Sequence, residues 1–466
     1  MSLRDEESKS RRLFSNAVIC TLFNSINPNK TLQFYFLYTT KFTFLCFLLC
    51  IRNKKSYLCT QNSTIMEVIS RSYYAEKIDS WLGSGQIIVL IGQRRVGKSY
   101  VMKDFIARHE HEADANIIYI DKEKRSFSFI RNCDELDAYI DARLLPDKHN
   151  YILIDEVQDI EGWEKSVRSY RTEDNVDLLI TGSNSKMLSG ELGTLLGGRY
   201  EQILVQSLTY MEFMQFHQLT DNDDSLWKYL NYGGLPGLAA IGIDDEERVW
   251  EYLSGIYNTV MLKDVVERHS IRNIPFLHNL ISFIADTTGK LNSASNIAKY
   301  MKAQGVDVST NVVLNYMSFF EDSFLTAIVG RYDIHGKKLL ESTGKTYFGD
   351  VGLRNYIAGG ERQTDIEKVM ENVVYHHLIH LGYTVTVGQL RAGEIDFVCT
   401  RPNQRVYVQV AWLIDSDTTF KREFGALQAI GDAYPKYVIS ATPMLRSANH
   451  EGITHLHLRK FLSEGF

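Results

Sequence analysis

Residues 92–99 read GQRRVGKS, a glycine-rich turn with the spacing G-x-x-x-x-G-K-[ST]. A run of this kind can grip an anion. Gly92 and Gly97 let the main chain curl until successive N–H groups face one point, and a helix that follows aims its positive end at the same place. Lys98 brings a charge suited to β and γ phosphates, and Ser99 a hydroxyl suited to Mg²⁺. The competing reading is a glycine turn that carries a surface lysine. The nucleotide-binding set is therefore Gly92, Gln93, Arg94, Arg95, Val96, Gly97, Lys98, Ser99 and Tyr100. Arg94 and Arg95 touch phosphates or a neighbouring subunit, or else are solvated.

Three later runs could complete such a site. Residues 151–156 read YILIDE, an apolar strand ending in two acids. Asp155 would hold Mg²⁺ through water, beside Ser99, and Glu156 would polarise the attacking water. Residues 178–185 read LLITGSNS, where Thr181, Ser183 or Asn184 could orient that water. Asn184 is the first choice, with a helix cap as its alternative. Arg199 closes GGR at 197–199, and an arginine after a flexible turn can stabilise transition-state charge in cis or from a neighbour, or simply form a salt bridge. The catalytic candidates are thus Glu156, Asn184 and Arg199, and the metal candidates Ser99 and Asp155.

These side chains need a frame that brings distant stretches together. IIVLI at 87–91 precedes the glycine turn, and helical spacing follows it over Ser99–His109. IIYI at 117–120, YILI at 151–154 and LLIT at 178–181 are further short apolar runs. Strands alternating with helices predict a parallel sheet covered on both faces, with ligands at the carboxyl ends of the strands. From about Leu208 to Asp286 helical, aromatic-rich spacing dominates, broken by GGLPG at 233–237. A helix-turn-helix and a hairpin are predicted over 291–347, and a second small α/β pattern after Gly359.

Composition narrows the classes. The 466 residues are 44% apolar and 23% charged, which excludes disorder as the main state and a polytopic membrane protein. Six cysteines in this length are too few for a disulfide scaffold and favour a reducing, cytoplasmic compartment. Cys133 and Cys399 read as packing residues, and His376, His377 and His380 lack zinc spacing. The net charge of −6 argues against bulk nucleic-acid binding. Residues 1–65 stand apart, with a local charge of +6, four of the six cysteines and no glycine. Their apolar run Leu32–Ile51 reads as a membrane anchor interrupted by Lys41, as a loosely attached extension, or as non-native sequence preceding a true start at Met66. The last of these is the leading expectation.

GQRRVGKS, YILIDEVQDIEGWE, LLITGSNSKMLSGEL, LLGGRY and YGGLPG together resemble the prokaryotic AAA-type ATPases that carry a C-terminal restriction-endonuclease-like domain. The resemblance covers about Met66–Phe466. It implies an α/β fold: a P-loop NTPase parallel sheet over 66–207, a helical region over 208–286, a winged-helix-like part over 287–358 and a small restriction-endonuclease-like α/β domain over 359–466. It also implies ATP, a choice that rests on the resemblance, since the residues themselves do not fix adenine over guanine and no guanine-reading N/T-K-x-D motif is apparent. In that last domain a helix glutamate, a strand aspartate and an E-x-K on the next strand surround a metal. Glu371 and Asp396 match, but Gln409 stands where the second acid is expected and Ala411 where the lysine is expected. Glu394 and Glu423 are nearby in sequence. The module is expected to be inert.

The second helix of the predicted helix-turn-helix, STNVVLNYMSFFED, contains no Lys or Arg, so packing or protein contact is favoured over reading DNA. Arg331, Lys337, Lys338 and Lys345 of the hairpin leave backbone contact with DNA open. The leading expectation is an ATP–Mg²⁺-binding enzyme that hydrolyses slowly, with closure of the helical region as a switch. The alternatives are an ATP-regulated DNA-binding or nuclease protein, and a protein-interaction module or homo-oligomer that ATP locks in one conformation.

Overall fold

Strand IIVLI is enclosed at every position, as a run of five apolar residues flanked by polar turns demands. In the computed structural model it is β1 (Ile87–Ile91) of a sheet with β2 (Ala115–Asp121), β3 (His149–Asp155), β4 (Val176–Gly182) and β5 (Tyr200–Leu204). The structure describes residues 69–183, 190–360, 365–391, 393–443 and 447–466, and residues 68–466 form one compact unit. The expectations for residues 1–65 and for Asn184 lie outside the described residues. The strand order is β2-β3-β4-β1-β5, with every pair parallel. Side chains alternate between the faces, as a pleated strand requires. Ile88 and Leu90 join one core with Leu153 and Leu179. Ile87, Val89 and Ile91 join the other with Ile152, Ile154 and Ile180.

Helices cover the two faces and carry chain from one strand to the next. The helix Lys98–His109 begins at Gly97, whose φ is 100°, and buries Val101, Met102 and Phe105 in the first core. Beyond β5 the chain is helical to Asp286, including Glu246–Thr259, which continues as the π-helical stretch Val260–Glu267. The GGLPG turn sits among these helices. The Gly234 N–H donates to Asp350 Oδ2 at 2.8 Å, and the Gly234 carbonyl accepts from Leu208 N–H at 2.7 Å.

After short β6 (Leu291–Asn292) come the helices Ala294–Ala303 and Thr310–Asp322, the second capped by the Ser309 hydroxyl. Next are the hairpin strands β7 (Thr326–Asp333) and β8 (Lys338–Phe348). The C-terminal part supplies β9 (Thr384–Leu390), β10 (Gly393–Arg401), β11 (Gln404–Ala411), β12 (Lys436–Ser440), β13 (Ser447–His450) and β14 (Ile453–His457). The hairpin and these strands form one nine-stranded sheet, β13-β14-β12-β11-β10-β9-β7-β8-β6. Its two halves meet where β7 runs parallel to β9, with Arg331, Tyr332 and Asp333 opposite Val387, Gly388 and Gln389. The sheet therefore bridges the boundary expected at residues 358–359. The first core likewise runs without a break from Tyr74 beside β1 to Phe461 near the C-terminus.

Candidate functional site

Strand order brings three carboxyl ends together. The GQRRVGKS loop leaves the end of β1, Asp155 and Glu156 close β3, and β4, lying between them, contributes Thr181. Gly92 has a φ of 145°, and a Cβ there would lie 2.2 Å from the Val205 carbonyl oxygen, so only glycine fits. From beneath, Arg71 donates to the Val96 carbonyl at 3.1 Å and to the Gln206 carbonyl at 3.0 Å. Arg71 is itself held by Glu212 through two bonds of 2.8 and 2.9 Å. No side chain caps the helix that starts at Lys98, so its first N–H groups face the loop.

Lys98 is buried and donates to the carbonyls of Gly92 at 2.9 Å and Gln93 at 3.1 Å. Burial draws its ammonium below the ordinary lysine range, against the opposing pull of Glu156. Asp155 accepts from Thr181 Oγ1 at 2.5 Å and bonds the Ser99 hydroxyl. Burial raises its carboxyl, and those two hydroxyls hold it back down. Tyr119 donates to Asp155 Oδ2 from 3.4 Å. The same Thr181 hydroxyl accepts the Glu156 N–H at 2.9 Å. Glu156 adopts a left-handed backbone with φ of 56°, and its Oε2 accepts from Ser183 at 3.2 Å and from Gln158. Lysine, serine hydroxyl and two oriented carboxylates beside uncapped N–H groups form a donor set suited to a phosphate–Mg²⁺ pair.

Other expected members separate from this centre. Gln93 is buried with its amide unpaired, turned toward Gly349 rather than into the cradle; only its carbonyl meets Lys98. Val96 is wholly buried, while Arg95 and Tyr100 are exposed. Arg199 requires correction as a residue acting in cis. Its carbonyl accepts from the Ile87 N–H at 3.1 Å, at the start of β1, whereas the loop follows Ile91. Four strand steps, roughly 13 Å, separate the two, because β5 runs parallel to β1. The Arg199 side chain is exposed there.

The Arg94 side chain turns from the loop toward the helical region and is partly exposed. It donates to Asp264 through Nε at 2.9 Å and Nη2 at 3.0 Å, and this bonding raises its pKa further. Sequence reasoning missed Asp264, Gln158, Tyr119 and Arg71. Gln158 is legible two residues after Glu156, but no local pattern marks the other three.

Glu371, Asp396 and Gln409 do come together, and a lysine from another strand joins them. Lys345 of β8 lies 2.7 Å from Glu371, 2.7 Å from Glu394 and 2.8 Å from Asp396, and it is 2% exposed. This corrects its expected place among the hairpin cations open to DNA. Burial works against its charge, but Asp396, Glu371 and Glu394 hold its pKa well above the ordinary range. Tyr347 donates to Glu371 at 2.5 Å. Burial, with Asp396 close by, pushes Glu371 up to about 7. Gln409 accepts from the Asp396 N–H at 3.3 Å and bonds Glu423. Among the described residues no group of three or more His, Cys, Asp and Glu side chains is placed to hold a metal ion. Likewise no helix among them is long and apolar enough to cross a membrane. Cys399 is buried, Cys133 partly so, and both are free thiols.

Comparison with known proteins agrees with the frame of the first site. Residues 84–214 match the AAA domain family, and residues 223–364 match a domain of unknown function, DUF8612. That second span takes in most of the helical region and the helix-turn-helix with its hairpin. An uncharacterized protein of Haemophilus influenzae is 33% identical over 381 residues, covering 80% of this chain and 93% of the relative. The uncharacterized protein MJ1544 of Methanocaldococcus jannaschii is 29% identical over 362 residues, covering 74% of this chain and 78% of the relative. Among solved structures, the Walker-type ATPase PABY2304 of Pyrococcus abyssi superposes with a TM-score of 0.44 at 16% identity, covering 62% of this chain and 95% of that one.

Proposed function

The chain belongs to the AAA-domain family of P-loop ATPases, and from that premise we propose that it binds ATP with Mg²⁺ and hydrolyses it, coupling turnover to movement of its helical region. The observation that carries this reading is the Thr181 hydroxyl, which fixes Asp155 and Glu156 side by side next to Ser99. In the proposed complex Lys98 and the loop N–H groups hold the phosphates. Ser99 and Asp155 hold the metal shell, directly or through water. When bound, Mg²⁺ neutralises phosphate charge. Glu156, held by Ser183 and Gln158, orients the attacking water.

Lys98 now spends its donors on carbonyls of its own loop, so nucleotide entry exchanges those bonds for charged ones. Coupling to the helical region is supported by the Arg94–Asp264 pair, which ties the loop to the stretch Val260–Glu267. The choice of ATP follows the family.

Two variants test the assignment. Lys98→Ala is expected to abolish nucleotide uptake in titration calorimetry. Glu156→Gln is expected to bind ATP like the parent while turnover falls roughly 100-fold or more. A Glu156→Gln protein that hydrolyses ATP at the parental rate would remove Glu156 from the mechanism.

A further inference from the structure

A guanidinium group is closed inside the molecule beneath the nucleotide loop. The side chain of Arg71 is 4% exposed and that of its partner Glu212 is 14% exposed. Every N–H of the group has an acceptor. Nε and Nη2 donate to the two oxygens of Glu212. Nη1 donates to the carbonyls of Val96 and Gln206, and Nη2 also to that of Ser207 at 3.5 Å. The ring of Tyr74 lies against it, its centroid 4.5 Å from Cζ. Enclosing an ion pair is costly, and apolar side chains would fill the space at least as well for stability. What an arginine adds is direction, because its rigid fork bonds only to oxygens turned toward it.

The direction matters at Val96. Its C=O and the N–H of Gly97 share one planar peptide unit and point opposite ways. With the oxygen held by Arg71, the Gly97 N–H is turned to the side away from Arg71. Among the described residues no main-chain carbonyl takes that N–H. It stands instead in line with the first N–H groups of the uncapped helix that begins at Lys98. Gly97 has a φ of 100°, and a glycine in this region lets the peptide turn over at little cost. Arg71 removes that freedom. At the other end of the loop, Gly92 is fixed by its close approach to the Val205 carbonyl. The chain just past β5 thus secures both ends of the loop, by contact at Gly92 and through Arg71 at Val96.

We infer that Arg71 is a positioning residue of the nucleotide site: by holding the Val96 carbonyl beneath the loop, it keeps the Gly97 N–H presented to the phosphate that ATP and ADP share. The inference rests on the nucleotide reading above. Arg71 itself touches no substrate. It sets affinity rather than turnover, because Asp155 and Glu156 are held by Thr181.

The test combines calorimetry of ATP and ADP with steady-state hydrolysis, on the full chain with Mg²⁺ present. Arg71→Ala is expected to weaken both nucleotides about tenfold or more, by the same factor, as the loss of one charge-assisted bond requires. Turnover at saturating ATP stays within about threefold of the parent. Arg71→Lys weakens both by a smaller factor, since one ammonium cannot meet Glu212 and the carbonyls together. Glu212→Gln keeps the helix cap, where glutamine serves equally, and shifts both affinities in the same direction. It decides the matter if the Arg71 variants do not fold. A variant that only folds badly loses binding sites per chain while the remaining sites keep the parental affinity. That result, or parental affinities in variants that fold, would overturn the role of Arg71 and leave the ATPase reading standing. So would a fall in turnover as large as the fall in affinity. A parent chain that takes up neither nucleotide would remove the ATPase reading, and this inference with it.

Discussion

Lys345 is enclosed by Glu371, Glu394 and Asp396, and its removal leaves carboxylates facing one another in a largely dry space. Lys345→Met is therefore expected to destabilise the chain by roughly 3–5 kcal/mol, read from the shift of a urea melt. Glu394 is 29% exposed and relaxes most easily. The same enclosure argues against a cutting site. With the ammonium taken up by all three acids, the purified chain with Mg²⁺ or Mn²⁺ is expected to leave duplex DNA intact in a gel assay. Cutting that Asp396→Asn abolishes would reverse that expectation. The phosphate loop was legible in the sequence because its chemistry lies in eight contiguous residues. Lys345 was not, because it stands 51 residues before Asp396 on a hairpin whose pairing no spacing reveals. Asp264 was hidden for the same reason, 170 residues from its partner Arg94.

Among the elements, the apolar runs of β1, β3 and β4 announced themselves, since a strand buried on both faces reads as an unbroken hydrophobic string. The edge strand β5, YEQIL, did not, because only Ile203 of its five residues is buried. The order of the strands was equally invisible, and with it the separation of Arg199 from the loop it was expected to serve. The GGLPG turn shows what a quoted motif does physically. A Cβ on Gly234 would stand 2.4 Å from the carbonyl oxygen and 2.9 Å from the nitrogen of Leu208. Both are main-chain atoms that cannot swing aside. Gly234→Ala should therefore destabilise the chain by about 1–3 kcal/mol, visible as a lower thermal midpoint. Gly255→Ala, with nothing within 4 Å, serves as the control.

On the scale of the whole molecule, acid sensitivity follows from histidines closed inside. Burial draws His377 down to about 3, and His217 and His455 to about 4. In the unfolded chain the same rings titrate near 6.5. Their folded values are depressed, so the unfolded state binds protons first as pH falls. Their contribution is full above pH 6.5 and is lost progressively toward pH 4 and below. Melting midpoints should fall across that window. His377→Phe, whose ring keeps the edge contact that His377 makes with Phe461, should flatten part of the decline. A midpoint that ignores pH between 6.5 and 4 would contradict this account.

Strand β7 is paired along both flanks, with β8 on one side and β9 on the other. A protein that acquired the last hundred residues by gene fusion would have to find them a ready-made edge in exactly the matching register, and a protein that shed them would bare a row of unpaired amides inviting aggregation. The tail of this molecule is thus poor currency for exchange between lineages, and its history should be sought together with that of the hairpin it completes.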